Sequence, residues 1–455
     1  MNRRLQGPAV AFLVIVASLC LQSSLQVDAH LVTSLPDAPA FNFTMYSGYL
    51  EIPNTSFKMH YSIEESLNDP VNDPVLFWFN GGPGCSSLTG QFTELGYFME
   101  SADGTEWVAN ENSWNHFANV VFVESPAGVG FSTMSDEDAE IPYSDYSVAE
   151  LNLLFTKAFF EAYPNLVANS LYLTGESYAG IYIPYLAYLI DLHNTDLQEG
   201  DTHYNLKGFM IGNGVTDFNV DAEKAMVEYL SGHAILSPTF RKRSEHENCW
   251  FSMKTHPHHK GQHIAEARPE NHARCEELTY ELNQALAHVN PYNLLDDCHG
   301  SDDTNSPCLG LSLMDSYLQR DDVREALNVS EFTGQWSSCS DPIFYAYIRI
   351  LPGTIQFYPH LISQNYKILK YSGDADSVVS FVGTEKWIES LELGVSESWR
   401  QWSIESDPNQ PAGFIQVYNG LTYATIRNAG HMVPQNKGPQ MSHLISNFIS
   451  GDDIQ

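Results

Sequence analysis

Leu173-Thr174-Gly175-Glu176-Ser177-Tyr178-Ala179-Gly180 is the stretch that decides how the rest of the chain is read. The apolar run Ser170-Leu171-Tyr172-Leu173-Thr174 predicts a strand, and a sharp turn leads from it into a predicted helix. Such a turn exposes the residue at its apex and is tight enough to demand small residues two before and two after it. Gly175 and Ala179 fill those places, the second in place of the more usual glycine. The setting is that of a nucleophile elbow, with Ser177 as the nucleophile.

Working outward, three more short apolar runs end in turn residues. Pro74-Val75-Leu76-Phe77-Trp78-Phe79 runs into Asn80-Gly81-Gly82-Pro83-Gly84, Val120-Val121-Phe122-Val123 into Glu124-Ser125-Pro126, and Phe209-Met210-Ile211 into Gly212-Asn213-Gly214. Runs of this kind predict buried strands of a mainly parallel sheet. Between them Val148, Leu151, Leu154, Phe155, Ala158 and Phe159 recur at helical spacing. From about Asp217 to Met314 the apolar runs thin, and cysteines and histidines accumulate, which predicts an inserted cap. The α/β pattern resumes at Lys367-Ile368-Leu369-Lys370-Tyr371. Two further strands, Phe414–Tyr418 and Thr422–Ile426, are predicted across an Asn419-Gly420 turn, and a last helix from Pro439 towards Ile449. The expected fold class is α/β: an α/β-hydrolase fold with a mostly parallel central sheet and an inserted, disulfide-linked cap. Its expected parts are a signal peptide (1–29), a first core segment (30–216), the cap (217–314) and a second core segment (315–455).

A serine hydroxyl is a poor nucleophile until a base takes its proton. In this fold the acid and base follow the serine, in the order Asp then His, on loops after later strands. Tyr371-Ser372-Gly373-Asp374-Ala375-Asp376 offers two aspartates, between which the pattern does not choose, and Asn428-Ala429-Gly430-His431-Met432-Val433-Pro434 offers His431. An oxyanion hole here pairs the N–H after the nucleophile with one from the early strand-to-helix loop, roles that Tyr178 and Gly82 fit.

With these motifs in hand a resemblance becomes specific. Asn80-Gly81-Gly82-Pro83-Gly84-Cys85-Ser86-Ser87, Glu94-Leu95-Gly96, Gly175-Glu176-Ser177-Tyr178-Ala179-Gly180, Gly373-Asp374-Ala375-Asp376 and Asn428–Pro434, in this order, resemble the serine carboxypeptidase family. That family includes lysosomal cathepsin A-like and vacuolar enzymes, and the likeness runs from about Phe41 to Ser450. It implies Ser177, Asp376 and His431 as the catalytic triad, with Gly82 and Tyr178 as oxyanion donors. It also implies that Asn80, Glu94 and Glu176 hold the substrate's terminal carboxylate, and that Cys85 pairs with Cys339. Cys249–Cys275 and Cys298–Cys308 would follow. One departure is Gly96-Tyr97, where the family commonly has Gly-Pro; it bears on the local loop shape. The implied activity is release of C-terminal residues from peptides at acid pH through an acyl-enzyme, with no metal or organic cofactor. Two other readings remain in view. One is acyl transfer to alcohols, which Glu176 and Ala179 disfavour, because transferases of this kind often carry Asp and Ser there. The other is a protective binding protein for lysosomal glycosidases.

Composition sets the bounds. The 455 residues carry 22 basic and 56 acidic side chains, a net charge of -34, which argues against nucleic acid and anionic lipid as partners. Arg3 and Arg4 precede the apolar run Ala9–Leu21, too short to span a membrane, and Val27-Asp28-Ala29 has compact residues at the cleavage-defining positions, so a secretory signal is expected. The expected location is the secretory pathway, ending in the lysosome or vacuole or outside the cell. Beyond Cys20 the cysteines are Cys85, Cys249, Cys275, Cys298, Cys308 and Cys339, an even set suited to disulfides. Sequons at Asn42, Asn54 and Asn328 could carry glycans. The histidines around His256–His259, with His263 and His272, lack a paired ligand framework and read as a cap loop rather than a metal site. Arg241-Lys242-Arg243 reads as surface or as a processing site. The expected partners are peptide or protein C termini; the oligomeric state, a homodimer included, stays open.

Overall fold

Val75–Phe79 is buried on both faces, as a central parallel strand must be, and the sheet is built around it. The computed structural model describes residues 29–101, 104–221, 224–255, 263–267, 272–297, 311–350 and 352–454. The main sheet comprises β1 (Leu31–Val32), β2 (Met45–Glu51), β3 (Lys58–Glu64), β4 (Val75–Phe79), β5 (Asn119–Val123), β6 (Leu171–Glu176), β7 (Leu206–Gly212), β8 (Lys367–Gly373), β9 (Val395–Trp402), β10 (Gly413–Tyr418) and β11 (Leu421–Ile426). Their order is β1-β2-β3-β5-β4-β6-β7-β8-β11-β10-β9. From β5 through β11 the neighbours pair in parallel, and antiparallel strands close both edges.

The register sets where the loops lie. Phe79 pairs with Gly175, Glu176 with Gly212, Gly212 with Tyr371 and Gly373 with Ile426. The carboxyl ends of β4, β6, β7, β8 and β11 are therefore level, and the residues that follow them emerge at one edge of the sheet. On one face of the sheet Phe77 and Phe209 pack with Phe155 and Phe159 of α1 (Asp145–Ala162) and Ile183 of α2 (Ala179–Thr195). The other face packs Trp78, Trp114, Met210, Tyr371 and Leu444, the last from α3 (Gly438–Ser450). Trp78 and Trp114 meet edge to face at 5.6 Å in this core, as expected of packing residues.

Segment 217–314 supplies helices Lys224–Gly232, Pro238–Glu247 and His272–Leu286 and an antiparallel hairpin, Phe251–Thr255 with His263–Ala267. Its own apolar cluster joins Met226, Leu230, Phe240, Leu278 and Leu282 around the Cys249–Cys275 disulfide. Cys85–Cys339 is also formed. Cys298, Cys308 and His256–His259 lie outside the described residues, as do residues 1–28. The Arg241-Lys242-Arg243 run sits within a helix. Arg241 pairs with Glu245 at 2.9 Å, and Arg243 with Glu277 at 3.1 Å and Glu281 at 3.0 Å, so a protease would have to unwind that turn first. Among the described residues no helix is long and apolar enough to cross a membrane.

Strands β1, β2, β3 and β9 do not show in the sequence as apolar runs. The edge strand β9, Val-Ser-Glu-Ser-Trp-Arg-Gln-Trp, is exposed along most of its length, so no apolar run marks it.

Candidate active site

Ser177 stands at the end of β6 with φ +60°, the strained turn that the elbow requires. Gly175 cannot carry a side chain: a Cβ there would lie 2.3 Å from Phe79 O and 2.8 Å from Ala179 Cβ. With glycine at 175, the fully buried Ala179 fits where the usual pattern has glycine. Ser177 N donates to Gly212 O (3.1 Å), and Val215 N donates to Ser177 O (3.0 Å), so the turn after β7 braces the elbow.

Asp376 and His431 come together. His431 Nδ1 lies 2.7 Å from Asp376 Oδ2, in a pocket where Asp376 is wholly buried and His431 nearly so. Val378 N (2.8 Å) and Val379 N (3.2 Å) donate to the same carboxylate, which fixes its orientation. Asp374, the alternative acid, instead caps the neighbouring loop by accepting from Asn428 N at 2.6 Å. No direct hydrogen bond joins Ser177 Oγ to His431 among the described residues; bonds of this type commonly tighten only with substrate.

Asn213, which the sequence reading passed over as a turn residue, links the loops. At φ +39° its Nδ2 donates to His431 O (2.6 Å) and Gly430 O (3.0 Å), while its Oδ1 accepts from Gly373 N (3.0 Å). The end of segment 217–314 adds a second brace. His431 N donates to Tyr292 O (2.6 Å), Ser377 N to Pro291 O (3.0 Å) and Leu294 N to Ala375 O (2.9 Å). Lys370, within β8, was also missed. Its buried ammonium reaches Gly214 O (3.2 Å) and Thr216 Oγ1 (3.4 Å), and burial pulls its pKa down to about 7.

The Gly81–Gly84 loop lies against the elbow. A Cβ on Gly81 would come 2.5 Å from Tyr178 N. Neither Tyr178 N–H nor Gly82 N–H finds an acceptor among the described residues, so two backbone donors stand free beside the serine. Such a pair can stabilise an oxyanion.

On the other side of Ser177, Asn80 Nδ2 donates to both Glu94 Oε1 (3.2 Å) and Glu176 Oε1 (3.1 Å). Asn80 is itself oriented by Trp78 Nε1 (2.7 Å) and Gly90 N (3.1 Å) on its Oδ1. Both glutamates are buried, and the second oxygen of each has no other partner. Burial raises the Glu94 pKa to about 7. Burial and the Glu94 charge push Glu176 well above the ordinary carboxylate range. A single proton between them would remove the repulsion and occupy the orphaned oxygens. The Gly96-Tyr97 departure does not disturb this: Tyr97 N donates to Glu64 Oε2 at 2.9 Å, a bond that proline could not make.

These carboxyls predict how stability depends on pH. Glu64, Glu94 and Glu176 are buried and raised, the first two to about 7. A raised acid binds more protons folded than unfolded. Its contribution is therefore complete below the unfolded value of about 4.3 and is lost as pH rises towards the folded value. The urea midpoint is expected to fall between pH 5 and about 7.5; a midpoint that rises over this range would contradict the assignment.

Sheet order, elbow and acid–base pair together define a serine hydrolase of the α/β-hydrolase class. A model of the family described as "Serine carboxypeptidase" matches residues 36–451, and the chain belongs to that family. It is 32% identical to the mouse (Mus musculus) "Lysosomal protective protein" over 96% of this chain and 97% of that one. It is 30% identical to "Serine carboxypeptidase 24" of Arabidopsis thaliana over 97% and 98%. A prohormone-processing carboxypeptidase from Saccharomyces cerevisiae shares the fold, with TM-score 0.76 and 21% identity, covering 93% of this chain and 96% of that one. The protein is thus a serine-type carboxypeptidase, a hydrolase acting on peptides.

Proposed function

We propose that the protein removes single residues from peptide C termini in a mildly acid compartment, through an acyl-enzyme on Ser177. The observation that carries this reading is the buried Glu94–Glu176 pair held by Asn80 beside the elbow. Two ionised glutamates would repel a terminal carboxylate. A pair that shares a proton offers an O–H donor instead, with Asn80 as a second donor. With the terminus held there, the last peptide carbonyl meets Ser177. His431 takes the serine proton and Asp376 fixes the imidazole's orientation and charge. Tyr178 and Gly82 N–H groups receive the oxyanion. His431 then protonates the departing amino acid, and water resolves the acyl-enzyme by the same route in reverse.

The test is KM against pH for a blocked peptide acid and its amide. The acid's KM is expected to rise roughly tenfold or more as pH passes about 7, the loss of one charge-assisted hydrogen bond, while the amide's changes much less. Glu94→Gln donates without a proton to lose, and is expected to flatten the acid's profile. Parallel acid and amide profiles in the wild type would exclude the carboxyl pair as the clamp.

The braces from Pro291, Tyr292 and Leu294 to the Asp376 and His431 loops support reading segment 217–314 as a cap that also fixes the acid–base pair. Of the three sequons, Asn42 and Asn54 are exposed and suited to glycans. Asn328 is half-buried and its Nδ2 already donates to Ser47 O at 3.1 Å, so a glycan there would have to break that bond. A lysosomal or vacuolar destination fits the acid-favoured carboxyl pair and the lysosomal relative; the leader at 1–29 would supply entry to the secretory pathway.

A further inference from the structure

The acyl half of a substrate has to lie across Ser177 from the carboxyl pair, and the Tyr178 side carries an exposed guanidinium that makes no ion pair or hydrogen bond among the described residues. Glu176 and Tyr178 flank Ser177 and point to opposite faces of the sheet. Asn80, which holds the carboxyls, is bonded to Trp78 of one core face, whereas Tyr178, Tyr182 and Phe218 belong to the other. The Tyr178 ring meets Tyr182 and Tyr347 edge to face, both at 5.4 Å, and lies tilted against Phe218 at 5.9 Å. Over this cluster sits the Arg349 guanidinium, 5.6 Å from the Tyr178 ring centre and 5.7 Å from that of Phe218.

Arg349 is exposed, and among the described residues it makes neither an ion pair nor a hydrogen bond. Arg241, Arg243, Arg320 and Arg400 each hold a carboxylate; Arg349 holds none among the described residues. The nearby acid, Asp145, acts on Arg349 through its charge, but both its oxygens are held by other donors. Its Oδ1 accepts from Tyr178 OH (2.8 Å) and its Oδ2 from Ile350 N (2.6 Å). The rings hold the guanidinium plane in place, and its N–H donors stay available over the ring of the residue that follows the nucleophile.

We propose that Arg349 selects substrates with a carboxylate side chain on the penultimate residue, the one whose carbonyl Ser177 attacks. The proposal rests on the reading of Ser177 and the carboxyl pair given above. A planar guanidinium matches a carboxylate in two parallel hydrogen bonds, and the aromatic cluster would pack against the side chain's methylenes.

The test compares N-blocked Glu-Phe, Gln-Phe and Ala-Phe in the wild type, Arg349→Gln and Arg349→Lys, at about pH 5.5, where the glutamate side chain is mostly ionised. In the wild type, kcat/KM for Glu-Phe is expected to exceed that for Gln-Phe roughly tenfold, the scale of one partly exposed charge-assisted pair. In Arg349→Gln that ratio is expected to fall to about one, with an intermediate ratio in Arg349→Lys. A ratio that survives Arg349→Gln would overturn the proposal. So would an equal loss on all three substrates, which would place Arg349 with the terminal-carboxylate clamp or in a structural role. If the wild type cleaves none of the three, or Ser177→Ala still cleaves Ala-Phe, the underlying reading of the site fails instead.

Discussion

Ser177→Ala is expected to lower kcat/KM for a blocked dipeptide by at least about 10⁴-fold, with folding unchanged. The size follows from the role, because without the hydroxyl there is no acyl-enzyme and only binding and the oxyanion donors remain. The folding expectation follows from the turn. Ser177 already carries a Cβ at φ +60°, so alanine adds no strain, and its backbone bonds to Gly212 and Val215 are untouched. Asp376→Asn should come close in effect, because the amide can favour the wrong imidazole tautomer while keeping the shape. A fluorophosphonate should label the wild type at Ser177 alone. Labelling at another serine, or activity within tenfold of wild type in the alanine variant, would remove Ser177 from the mechanism.

The second large effect concerns the Cys85–Cys339 disulfide, which spans a sequence separation of 254. In the chain-entropy account, closing so long a loop stabilises the fold by roughly 5 kcal/mol, comparable to a domain's whole stability. It also shapes the site. Around it Ser86 N donates to Ser338 O and Ser340 N to Gly84 O, both at 2.8 Å, which ties the Gly81–Gly84 loop to the segment that leads to Arg349. The double change Cys85→Ser with Cys339→Ser should therefore cut stability in urea by several kcal/mol and reduce secreted yield. A second tie limits the damage to the core: buried Glu124 accepts from Phe131 N (2.7 Å), contacts His60 Nδ1 (2.8 Å) and takes a hydrogen bond from Trp336 Nε1 (3.4 Å). A midpoint unchanged by the double substitution would show that this network, and not the covalent bond, holds the two segments together.

By itself the sequence determined those parts whose signal is local. Val75–Phe79, Leu171–Glu176 and Leu206–Gly212 read as buried strands because a strand covered on both faces needs an unbroken apolar run. Ser177 read as a nucleophile because the turn that presents it admits only small neighbours, and His431 because it follows the last strand in the expected order. Tertiary structure decided the rest. Asp374 and Asp376 sit in one short turn that the residue pattern leaves open; the resemblance picks Asp376, and the packing of β8 beside β11 shows why, aiming Asp376 at His431 while Asp374 caps Asn428. Asn213 and Lys370 gained their roles from loops more than a hundred residues away in sequence. The carboxyl pair depends on the level register of β4 and β6, which buries two distant acids against one asparagine. Desolvation is a property of what surrounds a group in space. No spacing along the chain encodes it: the family resemblance names Asn80, Glu94 and Glu176 as the carboxylate clamp, but the burial that raises both carboxyls is seen only once the sheet has brought them together.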